Sequence, residues 1–211
     1  GIEPEVITGD EEAELSFAGA VLAVGADESK TVVFDLGGGS TEFVLGTEDG
    51  VQAARSVNIG CVRLTERHMA SAPATSDQIQ RVEADTDAAI DTVLQSVPLE
   101  KATRAVAVAG TATTIAAAAL WLKTYDSEAI NGSSISVDTV QKTAEMLRSM
   151  TREERAALGY MHPGRVDVIG AGATIYARIM TRLREITEGN IDSVTVSEHD
   201  ILDGIALSQV R

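Results

Sequence analysis

Asp35-Leu-Gly37-Gly38-Gly39-Ser40-Thr41-Glu42 sets a carboxylate on either side of a run of glycines and hydroxyls. Three glycines remove every Cβ from the turn, so the backbone can bring several N–H groups close to an anion. Ser40 and Thr41 add hydroxyl donors. Asp35 is an oxygen ligand of the kind suited to Mg²⁺, which usually keeps waters and bridges to phosphate oxygens. Glu42, just past the turn, is placed to hold a water beside the metal. A plain hairpin is the simpler alternative, but a short turn needs only one or two glycines with positive φ. The pattern is therefore read as a phosphate cradle over Gly37, Gly38, Gly39, Ser40 and Thr41, with Asp35 and Glu42 on the metal side. It is neither a P-loop nor a dinucleotide fingerprint, because no G-x-x-x-x-G-K-[ST] occurs and the turn leads into a strand.

A second segment, Thr8-Gly9-Asp10-Glu11-Glu12-Ala13-Glu14-Leu15, gathers four acidic residues in five positions near a predicted helix start. Helix-dipole chemistry alone could account for the first-turn carboxylates, so either that or catalysis fits. Gly110-Thr111-Ala-Thr113-Thr114 follows a predicted strand and opens a predicted helix. That is either an anion site at a helix N-terminus or small-residue packing of helix on sheet. His68, His162 and His199 share no metal-ligand spacing. The single cysteine, Cys61, reads as apolar packing and excludes an internal disulfide framework or cysteine zinc site. No Ser-His-Asp order suggests a hydrolase triad.

These residues need elements to hold them. An apolar stripe of Ala13, Phe17, Ala20 and Val24 predicts a helix from about Asp10 to Val24, with Thr8-x-x-Glu11 at capping-box spacing. Thr31–Leu36 is nearly continuous in apolar residues, as a strand buried on both faces would be. Thr41–Leu45 and Val51–Ile59 follow as strands joined through Gly46–Gly50. The pattern then predicts helices over Cys61–His68 and from Ser76 to Val97, a strand over Arg104–Ala109 and a helix over Thr111–Leu122. Asp126–Ser134 reads as a loop. Ser136 and Thr151-x-x-Glu154 cap two further helices. Pro163 opens a long helix with the stripe Val166, Ile169, Ala173, Tyr176, Met180, Leu183. Ser193–Val196 is a strand, and Ser197-x-x-Asp200 caps a last helix ending near Arg211. Three meandering strands followed by βα crossovers make a mixed α/β sheet, five-stranded, with helices on both faces. This order resembles the ribonuclease H-like half-domain of the actin, sugar-kinase and chaperone ATPase superfamily, and alone says little about function.

The chain has 211 residues, 44% of them hydrophobic, and a formal net charge of −15. That length suits one sizeable domain with a full core, and the apolar fraction excludes global disorder. With pI ≈ 4.5 and 3% aromatic residues, neither a counterion-releasing basic face nor a base-stacking platform is expected, so DNA and RNA are not expected partners. No apolar run reaches membrane-spanning length and no signal peptide is visible, so a cytoplasmic protein is expected.

The acidic segment at 8–15, the Asp35–Glu42 segment and Gly60-Cys-Val-Arg63-Leu-Thr-Glu66 together resemble the exopolyphosphatase / guanosine pentaphosphate phosphohydrolase family. Val108–Thr114, Arg165–Gly172 and Ser197–Ile205 match its pattern in the same order. The resemblance implies Mg²⁺-dependent (or Mn²⁺-dependent) release of a terminal phosphate from inorganic polyphosphate or guanosine pentaphosphate. It implies Glu12 as the base that activates water, with Glu11 its competitor by one residue of register. Asp35 would hold metal, Glu42 would assist metal or water, and Gly37–Ser40 would cradle phosphate. Arg63 is one candidate for meeting a polyanion, or else a surface ion-pair residue. An ATP-dependent small-molecule kinase of the same superfamily and a non-enzymatic polyphosphate or alarmone sensor remain the alternatives. The family carries a first ribonuclease H-like domain with its own phosphate loop, whereas this sequence has one such loop. The expectation is a second domain, residues 1–211, holding half of a cleft and inactive by itself, with the absent domain and a second copy of the chain as candidate partners. The helix over 198–211 would then pack on that absent domain.

Overall fold

The structure, a computed structural model, describes residues 9–21, 25 and 29–209, without the side chains of Asp10 and Glu12. The predicted cap of the first helix at Thr8, and its predicted end at 22–24, lie outside those residues.

The sheet forms from β1 (Thr31–Leu36), β2 (Thr41–Thr47), β3 (Gly50–Val57), β4 (Arg104–Val108), β5 (Ser134–Ser136) and β6 (Ser193–Val196). Its order is β3-β2-β1-β4-β6-β5. β1, β2 and β3 form an antiparallel meander, β1–β4 and β4–β6 pair parallel, and β5 closes the edge antiparallel to β6. The sheet thus has six strands rather than the expected five. β5 is Ser-Ile-Ser, with only Ile135 buried, too short for an alternating pattern to announce it. The segment read as a loop also holds a short helix, α5 (Ser127–Ile130). The fold class is as expected.

α1 (Gly9–Val21) covers one face of the sheet, and α9 (Ile201–Ser208) packs on α1. α2 (Cys61–His68), α3 (Ser76–Val93), α4 (Ala109–Ala119), α6 (Val137–Ser149), α7 (Arg152–Ala156) and α8 (Ile169–Ile186) build the other layer. α8 is its axis and packs against α2, α3, α4 and α6. β1 explains the apolar run: Val32, Phe34 and Leu36 enter the large core, while Val33 enters a smaller one with Phe17, Ala20, Val44, Val106 and Val108. A strand buried on both faces has no polar face to alternate with.

Several caps fall one residue or one turn from their expected places. α3 is capped by Thr75, not Ser76, in a reciprocal box with Gln78. Pro163 opens a single 3₁₀ turn (Pro163–Arg165), and α8 begins at Ile169. The last helix is capped by Asp200 with Asp203 as the box partner. Ser197 instead donates its hydroxyl hydrogen bond to the His199 carbonyl, 3.0 Å. α9 lies along α1 of this chain, so close that a Cβ on Gly204 would meet the Leu15 carbonyl, and one on Gly19 the Asp200 carbonyl.

Candidate active site

Pleating places Val33 and Asp35 on the α1 face of β1. The register sets Asp35 opposite Glu42 on β2, and Glu42 opposite Ser56 on β3. Directly opposed residues share a face with Cβ atoms about 5 Å apart. A polar row, Asp35–Glu42–Ser56, therefore crosses three strands beside the apolar row Val33–Val44–Ala54. Ser56 Oγ donates to Glu42 Oε1 at 2.7 Å. A cleft of about 340 Å³ opens over this row, walled by Ala13 and Ser16 of α1 and by Ile201 of α9.

Glu12 belongs to α1, four residues ahead of Ser16, and its side chain lies outside the described residues. Glu11 is exposed on the same helix.

Past Asp35 the backbone turns through the glycines, and α2 fixes how it turns. The N–H groups of Cys61, Val62 and Arg63 donate to the Gly37 and Gly38 carbonyls at 2.9–3.0 Å. Arg63 Nε donates to the Gly39 carbonyl at 2.7 Å. The glycine carbonyls are therefore all engaged by α2, whose first free donors are used on the loop itself. Among the described residues the N–H groups of Gly38 and Gly39 have no acceptor, whereas that of Gly37 donates to the Ser40 carbonyl at 3.1 Å. This is a backbone able to receive an anion.

Ser40 is half-buried at the end of the turn. Thr41 is not part of the cradle. It is fully buried, and its hydroxyl donates to the Ile59 carbonyl at 2.7 Å, a strut between β2 and the segment that leads into α2. Arg63 is exposed and tied to the loop rather than to an acidic partner.

β4 runs beside β1 with Val108 opposite Asp35, so the start of α4 reaches the same end of the sheet. Ala109 takes a left-handed conformation there, φ 71°. Gly110 lies against the Arg165 guanidinium, where a Cβ would collide with it. Arg165 Nη1 donates to Thr114 Oγ1 at 3.3 Å, and Thr114 donates to the Gly110 carbonyl at 2.7 Å. Thr111 is buried against Gly172 of α8, whose added Cβ would meet Thr111 and Cys61 at 3.1–3.2 Å. Burial pushes the Cys61 thiol above its ordinary value. Arg165 also borders a hollow with Tyr125, Tyr160 and His162. Burial and the Glu198 carboxylate, which accepts the Tyr125 hydroxyl at 2.5 Å, push that phenol up.

Among the described residues no group of three or more His, Cys, Asp or Glu side chains gathers. The cation-binding candidate is thus the Asp35–Glu42 pair. Two carboxylates side by side, open to a cleft, fit Mg²⁺, which takes one or two carboxylates and completes its shell with water and phosphate oxygens. His68 pairs with Asp85 and His199 with Asp203. Ser56 and Arg165 join the row and the α4 turn through register and packing, which sequence spacing does not reveal. No helix among the described residues is long and apolar enough to cross a membrane.

Residues 1–209 match the Ppx/GppA phosphatase family. Exopolyphosphatase 2 of Mycobacterium tuberculosis is 50% identical over 208 residues, covering 99% of this chain and 64% of that protein. The crystal structure of an exopolyphosphatase-like protein superposes with a TM-score of 0.92 at 42% identity, covering 99% of this chain and 69% of the other. The type II variant of the Aquifex aeolicus Ppx/GppA phosphatase superposes with a TM-score of 0.81 at 27% identity, covering 98% and 65%. The chain therefore spans a little under two thirds of the length of the curated relative it matches.

Proposed function

Because this chain belongs to the Ppx/GppA phosphatase family, we propose that it forms one half of a phosphohydrolase that removes the terminal phosphate of inorganic polyphosphate or guanosine pentaphosphate. The observation that carries this reading is the pair of N–H groups at Gly38 and Gly39, unpartnered among the described residues, next to the Asp35–Glu42 carboxylates at the end of one strand pair. Phosphoryl transfer asks for positioning, charge neutralisation and an oriented nucleophile, with little covalent chemistry from the protein.

In this reading the Gly38 and Gly39 amides bind phosphate oxygens, and Ser40 adds a hydroxyl. Arg63 holds the loop in shape through the Gly39 carbonyl and adds positive charge at its rim. Asp35 and Glu42 would hold Mg²⁺ or Mn²⁺, which when bound would neutralise phosphate charge and acidify water. Glu12 takes the proton from the attacking water. Gly110 and Thr111 form the neighbouring wall. The opposite wall is a first ribonuclease H-like domain of the family, so the segment alone turns over little or nothing.

The test is phosphate release with Mg²⁺ by this chain joined to such a domain, on short-chain polyphosphate and on guanosine pentaphosphate, with Glu12→Gln beside it. A general base contributes roughly 10²–10⁴-fold. A loss of that size with substrate binding retained supports the reading, and the better substrate names the activity. Binding without release by the joined protein replaces it with a sensor.

A further inference from the structure

The Ser56–Glu42 hydrogen bond has a chemical consequence for the cleft. Glu42 Oε1 accepts the Ser56 hydroxyl at 2.7 Å, while among the described residues no donor reaches Oε2. Ser56 sits on β3, the outer strand of the sheet, directly opposite Glu42. Its hydroxyl has one proton, and that proton is committed to the carboxylate. The hydrogen bond, at the exposed edge of the cleft, fills one of the two lone-pair sites of Oε1 and biases the rotation of the carboxylate, so that Oε2 is the oxygen with both sites open.

Small and large divalent cations use carboxylates differently. Ca²⁺ takes six to eight oxygens and often binds a carboxylate through both of them. Mg²⁺ demands near-octahedral geometry, keeps its waters and takes one oxygen per carboxylate. A Glu42 with Oε1 held by a hydroxyl suits the second mode and opposes the first. We propose that Ser56 is a specificity-determining residue, which biases the Asp35–Glu42 pair toward Mg²⁺ and against Ca²⁺ by drawing on Oε1 of Glu42 and so weakening it as the second oxygen of a bidentate carboxylate. This rests on the reading of that pair as a cation site.

The experiment measures cation affinity of the 211-residue chain without turnover. Mn²⁺ binding is followed by the paramagnetic resonance of the free ion, and Mg²⁺ and Ca²⁺ are titrated in as competitors. Ser56→Ala frees Oε1, so the ratio of Mg²⁺ to Ca²⁺ affinity should fall by roughly three- to tenfold, the scale of one hydrogen bond to a charged group near solvent. Ser56→Thr keeps the hydroxyl and should restore the ratio. Ser56→Val has the shape of threonine and high strand propensity, so it should behave as alanine even if alanine weakens the edge strand. A ratio unchanged in Ser56→Ala and Ser56→Val, with Glu42→Gln abolishing Mn²⁺ binding, overturns the proposal and leaves the site standing. Mn²⁺ binding indifferent to Asp35→Asn and Glu42→Gln, or no binding by the wild type, overturns the site reading and the proposal with it.

Discussion

Gly60 lies directly beneath Gly38: a Cβ on Gly60 would meet the Gly38 carbonyl and would stand 2.6 Å from the Gly39 amide nitrogen. This contact sets the height of the glycine loop over α2, and so where the Gly38 and Gly39 amides present themselves. Gly60 itself is extended, φ −160°, a conformation open to any residue. The need for glycine there is purely one of space.

Gly60→Ala should therefore push on backbone that has nowhere to go. The expected cost is about 1–3 kcal/mol of stability, as for overpacking, read from denaturant midpoints. Binding of a phosphate-bearing ligand should fall by more than the stability change explains, because the loop itself is displaced. A variant with wild-type stability and binding would remove the argument that α2 shapes the cradle.

Gly110→Ala is the contrasting case. Its added methyl meets the Arg165 guanidinium, the far end of a flexible side chain. Arg165 can swing away at the loss of its hydrogen bond to Thr114. Alanine also favours the helix that begins there, by up to ~1 kcal/mol. Stability should stay within about 1 kcal/mol of wild type, while any ligand that relies on Arg165 should bind more weakly. Thermal unfolding beside ligand titration separates the two effects.

What the sequence revealed follows from whether a feature is local. β1 declared itself because both its faces are buried, and α2 runs from Cys61 to His68 as its pattern suggested. Ser136 and Thr151 cap the helices their spacing marked. The last helix starts later than its first candidate cap because Ser197-x-x-Asp200 and Asp200-x-x-Asp203 carry the same kind of spacing three residues apart, and tertiary packing selects the second. Thr41 looked like a ligand because it follows the glycines, but strand alternation turns it inward to Ile59. Asp35 and Glu42 were recognisable from their flanking of the turn. Ser56 was not, since its place opposite Glu42 depends on the register of β2 with β3, including an irregularity at Leu45/Gly46.

Gly204→Ala probes how α9 holds α1. Alanine at an unconstrained helical site would stabilise by up to ~1 kcal/mol. Here its methyl meets the Leu15 carbonyl, rigid backbone of α1. The clash should win, leaving a net loss on the order of 1–2 kcal/mol. Amide exchange in α9 should accelerate before the central strands are affected, since α9 packs on α1 and the sheet does not depend on it. Because α1 carries Glu12, turnover by the joined protein should fall as well. Unchanged exchange in α9 would mean that the helices do not meet at Gly204.

The same helix should respond to acid. His199 lies 2.9 Å from Asp203, and its hydrogen bond, joined by the Asp200 amide, holds the Asp203 carboxyl below its ordinary value of 3.8. A carboxyl depressed in the folded state contributes stability that is present above its unfolded pKa and lost as pH falls through the folded one. The contribution should thus be intact at neutral pH and vanish below about pH 4. Asp203 is 37% exposed, so solvent screening limits it to a few tenths of a kcal/mol. Asp203→Asn lacks this titration while keeping an oxygen for the helix cap. Between about pH 5 and pH 3 the variant should lose less stability than the wild type, with the difference concentrated in the exchange rates of α9 amides. Parallel acid profiles for the two proteins would show that the His199–Asp203 pair does not anchor the helix.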